Sequence, residues 1–224
     1  MVDKGNRREL VYDHVIHSRL YNDSIYTRQY WDYFSPLPAV FEKPRILIVG
    51  LGGGTMPFQI KKLYGKKATV EVVELSREMV KLSKAFLPEK LDARIILGDG
   101  NSYLSREKGR YDIIISDPYV GEQIPEDFFD EGYVKNAYNA LKDDGILAIN
   151  YALTLRSISK KAGLMKNLRR LFNVYDIDYP SSAGNIVIVC SKKYSAKEII
   201  RRIDRNFPRD SENKFLLDAY SGMR

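Results

Sequence analysis

"ILIVGLGGGTMPFQI", residues 46–60 of a 224-residue chain, runs four apolar residues into Gly50 and Leu51, then three consecutive glycines, and then resumes a helical pattern. A buried strand that ends in Gly-x-Gly-x-Gly (Gly50, Gly52, Gly54) and feeds a helix gathers bare backbone and free N–H groups where a ligand can be approached closely. The spacing narrows the choice of ligand. A dinucleotide fingerprint wants Gly-x-Gly-x-x-Gly and its third glycine would fall on Thr55, while a phosphate loop needs a Gly-Lys-Ser/Thr that does not follow.

Working outward, apolar runs of strand length recur at "RILIVGL", "TVEVVE", "ARIIL", "YDIIISD" and "GILAINY", with helix-compatible segments between them. This is βαβ alternation, and runs that are continuously apolar rather than alternating predict a sheet covered on both faces. The expected fold is α/β: a Rossmann-like, doubly wound, mostly parallel sheet. A helical segment from Thr154 to Phe172 follows, then "NVYDIDYP" and "NIVIVCSKK" joined through "SSAG", which predicts an antiparallel last strand pair. "SAKEIIRRIDRNF" opens with Ser195 and Glu198 in capping-box spacing and reads as a basic surface helix. From Pro208 onward the chain reads as a tail with one apolar anchor, "FLLDAY".

Ahead of the first strand, "ELVYDHVIHSRLY" predicts a short hairpin turning near Asp13 and His14, and "RQYWDYFSPLPAVF" a helix stopping at Pro36. The expected organisation is a short N-terminal hairpin and helix over 1–40, a ligand-binding domain over 41–194, and a C-terminal helix and tail of that same domain over 195–224. Tyr12, Tyr21, Tyr26, Tyr30, Trp31, Tyr33 and Phe34 crowd the first region, either as ordinary packing or as the floor of a ligand pocket.

Composition bounds the function. Hydrophobic residues make up 44% and aromatic residues 12% of the chain, as in a folded globular protein. No run approaches the roughly 18 consecutive apolar residues of a membrane span, and "MVDKGNRREL" has no apolar signal core, so a soluble, cytoplasmic protein is expected. Cys190, the single cysteine, lies in a β-branched run and reads as a buried core residue. His14 and His17 lack cysteine partners, so no metal is expected. The formal net charge is +7, and residues 156–205 hold twelve Lys or Arg against four Asp or Glu. Such a face meets nucleic acid or an anionic substrate, or is solvated helix surface; weak, salt-dependent nucleic-acid binding stays open.

Acidic residues stand at successive strand ends. Glu74 closes "TVEVVE" twenty residues past Gly54, where a carboxylate can accept from both ribose hydroxyls of a nucleoside. Asp99 before Gly100 closes "ILGDG" and could meet an adenine amine, with bare backbone beside the ring. Asp117 ends "YDIIISDPY" on the same carboxyl edge, where open α/β sheets build their crevice, and can accept a proton or orient an amine. Tyr119 and the acidic stretch holding Glu122, Glu126 and Asp127 follow. Helix capping, and for Asp117 a turn before Pro118, are the structural alternatives.

Together these residues resemble the spermidine synthase family, and more closely its methyltransferase-like relatives, within the class I S-adenosylmethionine-dependent transferases. "ILIVGLGGGT" is similar to the family's nucleoside loop, "VVELSREMVKLSKAF" to its second strand and helix, "ILGDGNSYL" to its adenine segment, "YDIIISDPYVGEQIP" to its catalytic loop and "GNIVIVCSKK" to its last strand. The resemblance implies a seven-stranded sheet of the class I methyltransferase type. It also implies S-adenosylmethionine or its decarboxylated form as ligand, held by Gly50, Gly52, Gly54, Glu74, Leu75, Asp99 and Gly100. Asp117 falls at the catalytic aspartate, with Tyr119 or Tyr30 nearby, and His17, Tyr30 and Asp32 at the places of the family's Gln-Ser and Tyr-His-Glu stretch. Two features depart from it: Val120 stands where aminopropyltransferases carry a second aspartate, and the N-terminal region has little room for their β-domain.

The reading favoured by these departures is methyl transfer to an unidentified small-molecule acceptor. Aminopropyl transfer from decarboxylated S-adenosylmethionine to an amine or polyamine is the alternative, and a non-catalytic nucleoside- or RNA-binding module the third. A homodimer is compatible with each.

Overall fold

In a computed structural model, which describes residues 1–12, 14–119, 128, 130–153, 155–177 and 184–224, the apolar runs pair side by side. Strands β4 (Arg45–Val49), β5 (Thr69–Glu74), β6 (Arg94–Leu97), β7 (Tyr111–Ser116), β8 (Leu141–Ala152), β9 (Asn173–Ile177) and β10 (Asn185–Ser191) form one sheet in the order β6-β5-β4-β7-β8-β10-β9. The first five are parallel, and β10 runs antiparallel to both β8 and β9. The predicted α/β doubly wound sheet with its antiparallel last pair is therefore present. Asp13, Thr154 and residues 181–183 of the "SSAG" link lie outside the described residues.

Alternation along each strand feeds two cores. Ile46 and Ile48 of β4 face one side and Leu47 and Val49 the other, and Ile113, Ile115 and Ile114 of β7 divide in the same way. Helices α4 (Glu131–Ala140) and α5 (Leu155–Arg169) cover the second face through Tyr133, Val134, Ala137, Leu164 and Leu168. The first face is covered by α1 (Thr55–Tyr64), α6 (Ala196–Asn206) and α7 (Lys214–Ser221). The remaining helices are α2 (Arg77–Phe86) and the short α3 (Gly100–Leu104). Ser195 caps α6 in a full capping box with Glu198. None of the helices, among the described residues, is long and apolar enough to cross a membrane.

Three expectations are corrected. The N-terminal hairpin, β2 (Arg7–Tyr12) and β3 (Val15–Tyr21), gains a third strand, β1 (Val2–Asp3), and its inner face packs Leu10 and Leu20 on Phe58, Met79 and Phe86. The helix expected before Pro36 is instead two 3-10 turns, Tyr30–Phe34 and Leu37–Val40. Pro36 and Pro38 lack the N–H groups that an α-helix would use there. The C-terminal tail is helical: Leu216, Tyr220 and Met223 of "FLLDAYSGM" belong to the main core.

Those last two features are joined. The Tyr220 hydroxyl donates to the Tyr33 carbonyl at 2.7 Å, and the Arg28 guanidinium lies 4.0 Å from the Phe215 ring centroid. The Asn213 amide donates to the Tyr26 hydroxyl, which in turn donates to Asp210. Asp32, fully buried, folds back to accept from Thr27 N and Oγ1, Arg28 N and Gln59 Nε2, at distances between 2.6 and 3.0 Å. The turn that carries Tyr30 is thus clamped from inside by Asp32 and from outside by the C-terminal helix.

Asp32→Ala takes the acceptor from the Thr27 N–H and hydroxyl and from the Arg28 N–H, leaves Gln59 Nε2 with the Ile25 carbonyl alone, and is expected to destabilise the protein by about 3 kcal/mol. A shift in the urea midpoint at constant slope measures it; a loss below about 0.5 kcal/mol would mean that packing alone holds the turn.

Candidate active site

The strand order reverses between β4 and β7, and there the carboxyl ends of the parallel strands open onto a cavity of about 780 Å³. That is the usual position of a ligand crevice in an open α/β sheet and a usual size for one. The sheet supplies the floor. The hairpin residues Tyr12, His14, Ile16, His17 and Arg19 form one wall, and Tyr30 with Trp31 another.

On the glycine loop, Gly50 has φ 97°, and a Cβ there would stand 2.3 Å from the Asp117 carbonyl oxygen. No side chain fits. Gly52 lines the cavity beneath the His17 carbonyl, while Gly54 sits off it, at the start of α1 against Leu87. Ser18 of β3, not anticipated from the sequence, accepts the Gly53 N–H at 2.7 Å and ties the hairpin to the loop.

Glu74 does not cap a helix. Its two oxygens accept from the Leu51 N–H and the Ser76 N–H, each at 2.8 Å, so the buried carboxylate is held rigidly at the cavity edge. Each oxygen retains a lone-pair site. Leu75 beside it is 64% exposed and lines the mouth. Asp99 does cap a helix: one oxygen accepts the Ser102 N–H at the start of α3, and the residue also faces the cavity. Gly100 is closed in from behind, since a Cβ would lie 2.4 Å from Val49 Cγ1.

Asp117 turns its side chain into the cavity, away from a simple turn role. The Tyr30 hydroxyl donates to one oxygen at 3.1 Å and the Asn150 amide to the other at 2.6 Å. Burial pushes the carboxyl up to about 6, against these two hydrogen bonds, which pull it down. Burial also raises the Tyr30 phenol, as does the negative charge of Asp117, so that its proton stays on. Tyr119 reaches β8 instead: its hydroxyl accepts the Ala152 N–H at 2.7 Å and donates to the Asn150 carbonyl. It offers the cavity a ring more than a hydroxyl.

Two functional-site residues escaped the sequence reading, Asn150 on β8 and Asn185 on β10, whose amide donates to Asn150 Oδ1 at 2.8 Å. The one signal for them was a polar residue inside the apolar run "GILAINYA". His17 and Tyr30 line the cavity, whereas Asp32 is turned into the core. Val120, Glu122, Glu126 and Asp127 lie outside the described residues.

Comparison with known proteins identifies the family and the fold. The sequence profile of the family described as "Spermine/spermidine synthase domain" matches residues 30–199. A polyamine aminopropyltransferase of Vibrio vulnificus is 28% identical over 161 residues, 70% of this chain and 51% of its own length. One from Clostridium kluyveri is 28% identical over 208 residues, 86% of this chain and 73% of its own. The chain thus spans about half the length of the first relative and about three quarters of the second. Among solved structures, spermidine synthase from Thermotoga maritima superposes with a TM-score of 0.67 at 17% identity, covering 90% of this chain and 72% of that one. Human methyltransferase-like protein 13 in complex with SAH gives 0.62 at 18% identity, covering 84% and 96%. These two likenesses establish the fold.

A buried carboxyl whose folded-state value lies above its unfolded one holds its proton more tightly in the fold. The stability it contributes is therefore greatest below the unfolded value and lost as pH rises through about 6. Asp117→Asn removes that loss and is expected to raise Tm by roughly 2–6 °C at neutral pH, with no gain near pH 3.5. Equal melting temperatures across the range would show that Asp117 ionises as a solvated carboxyl does.

Proposed function

The chain belongs to the spermine/spermidine synthase domain family, and from that premise we propose that it is an aminopropyltransferase, moving the aminopropyl group of decarboxylated S-adenosylmethionine onto an amine acceptor. This reverses the order favoured by the sequence, which put methyl transfer first. The relatives are polyamine aminopropyltransferases over most of this chain, and the missing second aspartate is a weaker argument than that.

The observation that carries the reading is Asp117. A half-buried carboxylate at the strand-reversal crevice, gripped by Tyr30 and Asn150, stands beside a nucleoside-sized cradle. In that cradle Glu74 takes the ribose hydroxyls, with the Leu51 and Ser76 N–H groups fixing its orientation. Asp99 takes the adenine amine, Gly50 and Gly100 present bare backbone to the ligand, and Leu75 covers it.

The acceptor approaches between Tyr30, Trp31 and Tyr119, whose ring faces favour an ammonium group. Its nitrogen must lose a proton before it can attack. Asp117, with a value near 6, is ionised at neutral pH and can accept that proton. The nitrogen lone pair then forms a C–N bond to the propyl carbon next to sulfur, the C–S bond breaks, and its electron pair returns to sulfur. The products are a neutral thioether, methylthioadenosine, and an aminopropylated amine in its ammonium form: the positive charge passes from sulfur to the acceptor nitrogen, whose displaced proton is now on Asp117. No metal enters this displacement. The enzyme contributes alignment and the acceptance of the proton.

Incubation with decarboxylated S-adenosylmethionine and putrescine or spermidine is expected to release methylthioadenosine, detected by mass spectrometry. Release of S-adenosylhomocysteine from S-adenosylmethionine, with no methylthioadenosine from either donor, would reinstate methyl transfer. Asp117→Asn should lower turnover by about 10²- to 10⁴-fold while donor affinity changes little. Glu74→Ala should do the opposite, weakening donor binding by about 1.5 to 3 kcal/mol for each charge-assisted hydrogen bond to the ribose that it removes; calorimetry showing unchanged affinity removes Glu74 from the cradle.

A further inference from the structure

An amide side chain is nearly symmetric in shape and opposite in polarity at its two ends, so only its partners decide which end faces a neighbour. Asn150 is such a side chain at a decisive place. It is 1% exposed on a central strand, and its Nδ2 donates to Asp117 Oδ1 at 2.6 Å. Its backbone is fixed as well: it lies opposite Val187 in the β8–β10 ladder, and its carbonyl accepts the Tyr119 hydroxyl. Rotating the amide by half a turn would move little volume and would set an oxygen against the carboxylate.

Asn185 opposes that rotation. It stands two residues along β10 from Val187, opposite Ala152, and its Nδ2 donates to Asn150 Oδ1 at 2.8 Å. With Asn150 turned over, two N–H donors would meet at one end and two oxygens at the other. Both ends of the inverted amide would be repulsive while Asp117 is charged.

We propose that Asn185 is a positioning residue for the reaction, acting through Asn150 to keep an N–H donor on Asp117 and so hold the carboxylate charged and aimed at the acceptor amine. The inference rests on the reading of Asp117 given above. It adds a residue that lines the cavity and is separated from the carboxylate by one intervening side chain, so that its effect on Asp117 passes through Asn150. Tyr30 grips the other oxygen independently, so loss of the relay leaves Asp117 in place but with one fixed donor instead of two. The carboxylate then becomes easier to protonate.

Two substitutions separate polarity from packing. Asn185→Leu removes the donor at similar size, and Asn185→Asp exchanges it for an acceptor, which invites Asn150 to turn over; Asn185→Ala is the fallback if the leucine variant does not fold. The first readout needs no turnover: the ¹³C carboxyl resonance of Asp117, assigned by its loss in Asp117→Asn, is titrated in each protein. Its midpoint is expected to rise in Asn185→Leu and further in Asn185→Asp. The second readout is the pH profile of kcat with an amine acceptor. For Asn185→Leu, kcat near pH 6 should fall roughly five-fold and recover near pH 8.5, with donor Kd within about two-fold of the parent. In an Asn150→Leu background, Asn185→Leu should add nothing further, since the relay is already cut.

An unchanged Asp117 midpoint, a loss of kcat equal at every pH, or full additivity with Asn150→Leu each overturns the proposal. If the parent protein releases no methylthioadenosine, the aminopropyl reading fails, and the Asp117 titration still decides the role of Asn185.

Discussion

The backbone contact between the ends of β4 and β7 is the constraint on which the remaining geometry depends. The Asp117 N–H donates to the Val49 carbonyl at 2.9 Å, and Gly50 approaches the Asp117 carbonyl so closely that a methyl group would collide with it. The loop that would hold a nucleoside and the loop that carries Asp117 are therefore one structural unit. The preceding apolar runs set this contact, because Ile46–Val49 and Ile113–Ser116 pair in parallel register up to it.

Three acids near this junction show how partner count divides structural from chemical roles. Asp32 receives four donors and is consumed by them, and its work is to shape the turn under Tyr30. Glu74 receives two backbone N–H groups that fix its direction without saturating it. Asp117 receives two side-chain donors, and burial outweighs them, pushing its carboxyl up to about 6. A carboxylate left under-satisfied in this way reduces stability and gains reactivity near neutral pH. The clamp formed by Asp32 and the C-terminal helix offsets part of that strain by holding Tyr30 in position.

Most of this architecture is legible in the chain because both faces of the sheet are covered. Continuous apolar runs identify the strands, and the glycines and acids at their ends fall together once the strands are parallel. What escapes is local geometry decided by tertiary contact. The stretch around Pro36 has helical composition, yet missing N–H groups and the inward pull of Asp32 make it 3-10. "FLLDAY" resembles an anchor because it is short, yet the Tyr33 carbonyl and the Phe215–Arg28 stack make it a helix of the core. The motif position of Asp32 does not reveal that it points inward. Nothing in linear order links Asn150 to Asn185, since their neighbourhood exists only after β10 has inserted between β8 and β9.

That insertion also bears on the acceptor, whether a methyl or an aminopropyl group is transferred. Both reactions displace a neutral thioether from a sulfonium carbon, so the donor cradle, built on β4, β5 and β6, hardly distinguishes them. The acceptor side is built by different elements: β7 and β8 with the turn at Tyr30, and β10 behind them. There the cavity is lined by Tyr30, Trp31 and Tyr119 and by Asp117 with its two donors, an arrangement that would suit a protonated amine under the aminopropyl reading proposed above. An already nucleophilic neutral acceptor would gain nothing from such a carboxylate and would meet its desolvation penalty unrewarded. The half-buried charge of Asp117 is thus better accounted for by an acceptor that arrives as a cation than by one that arrives neutral, and this is the physical ground on which the proposal puts an amine in the second half of the cavity.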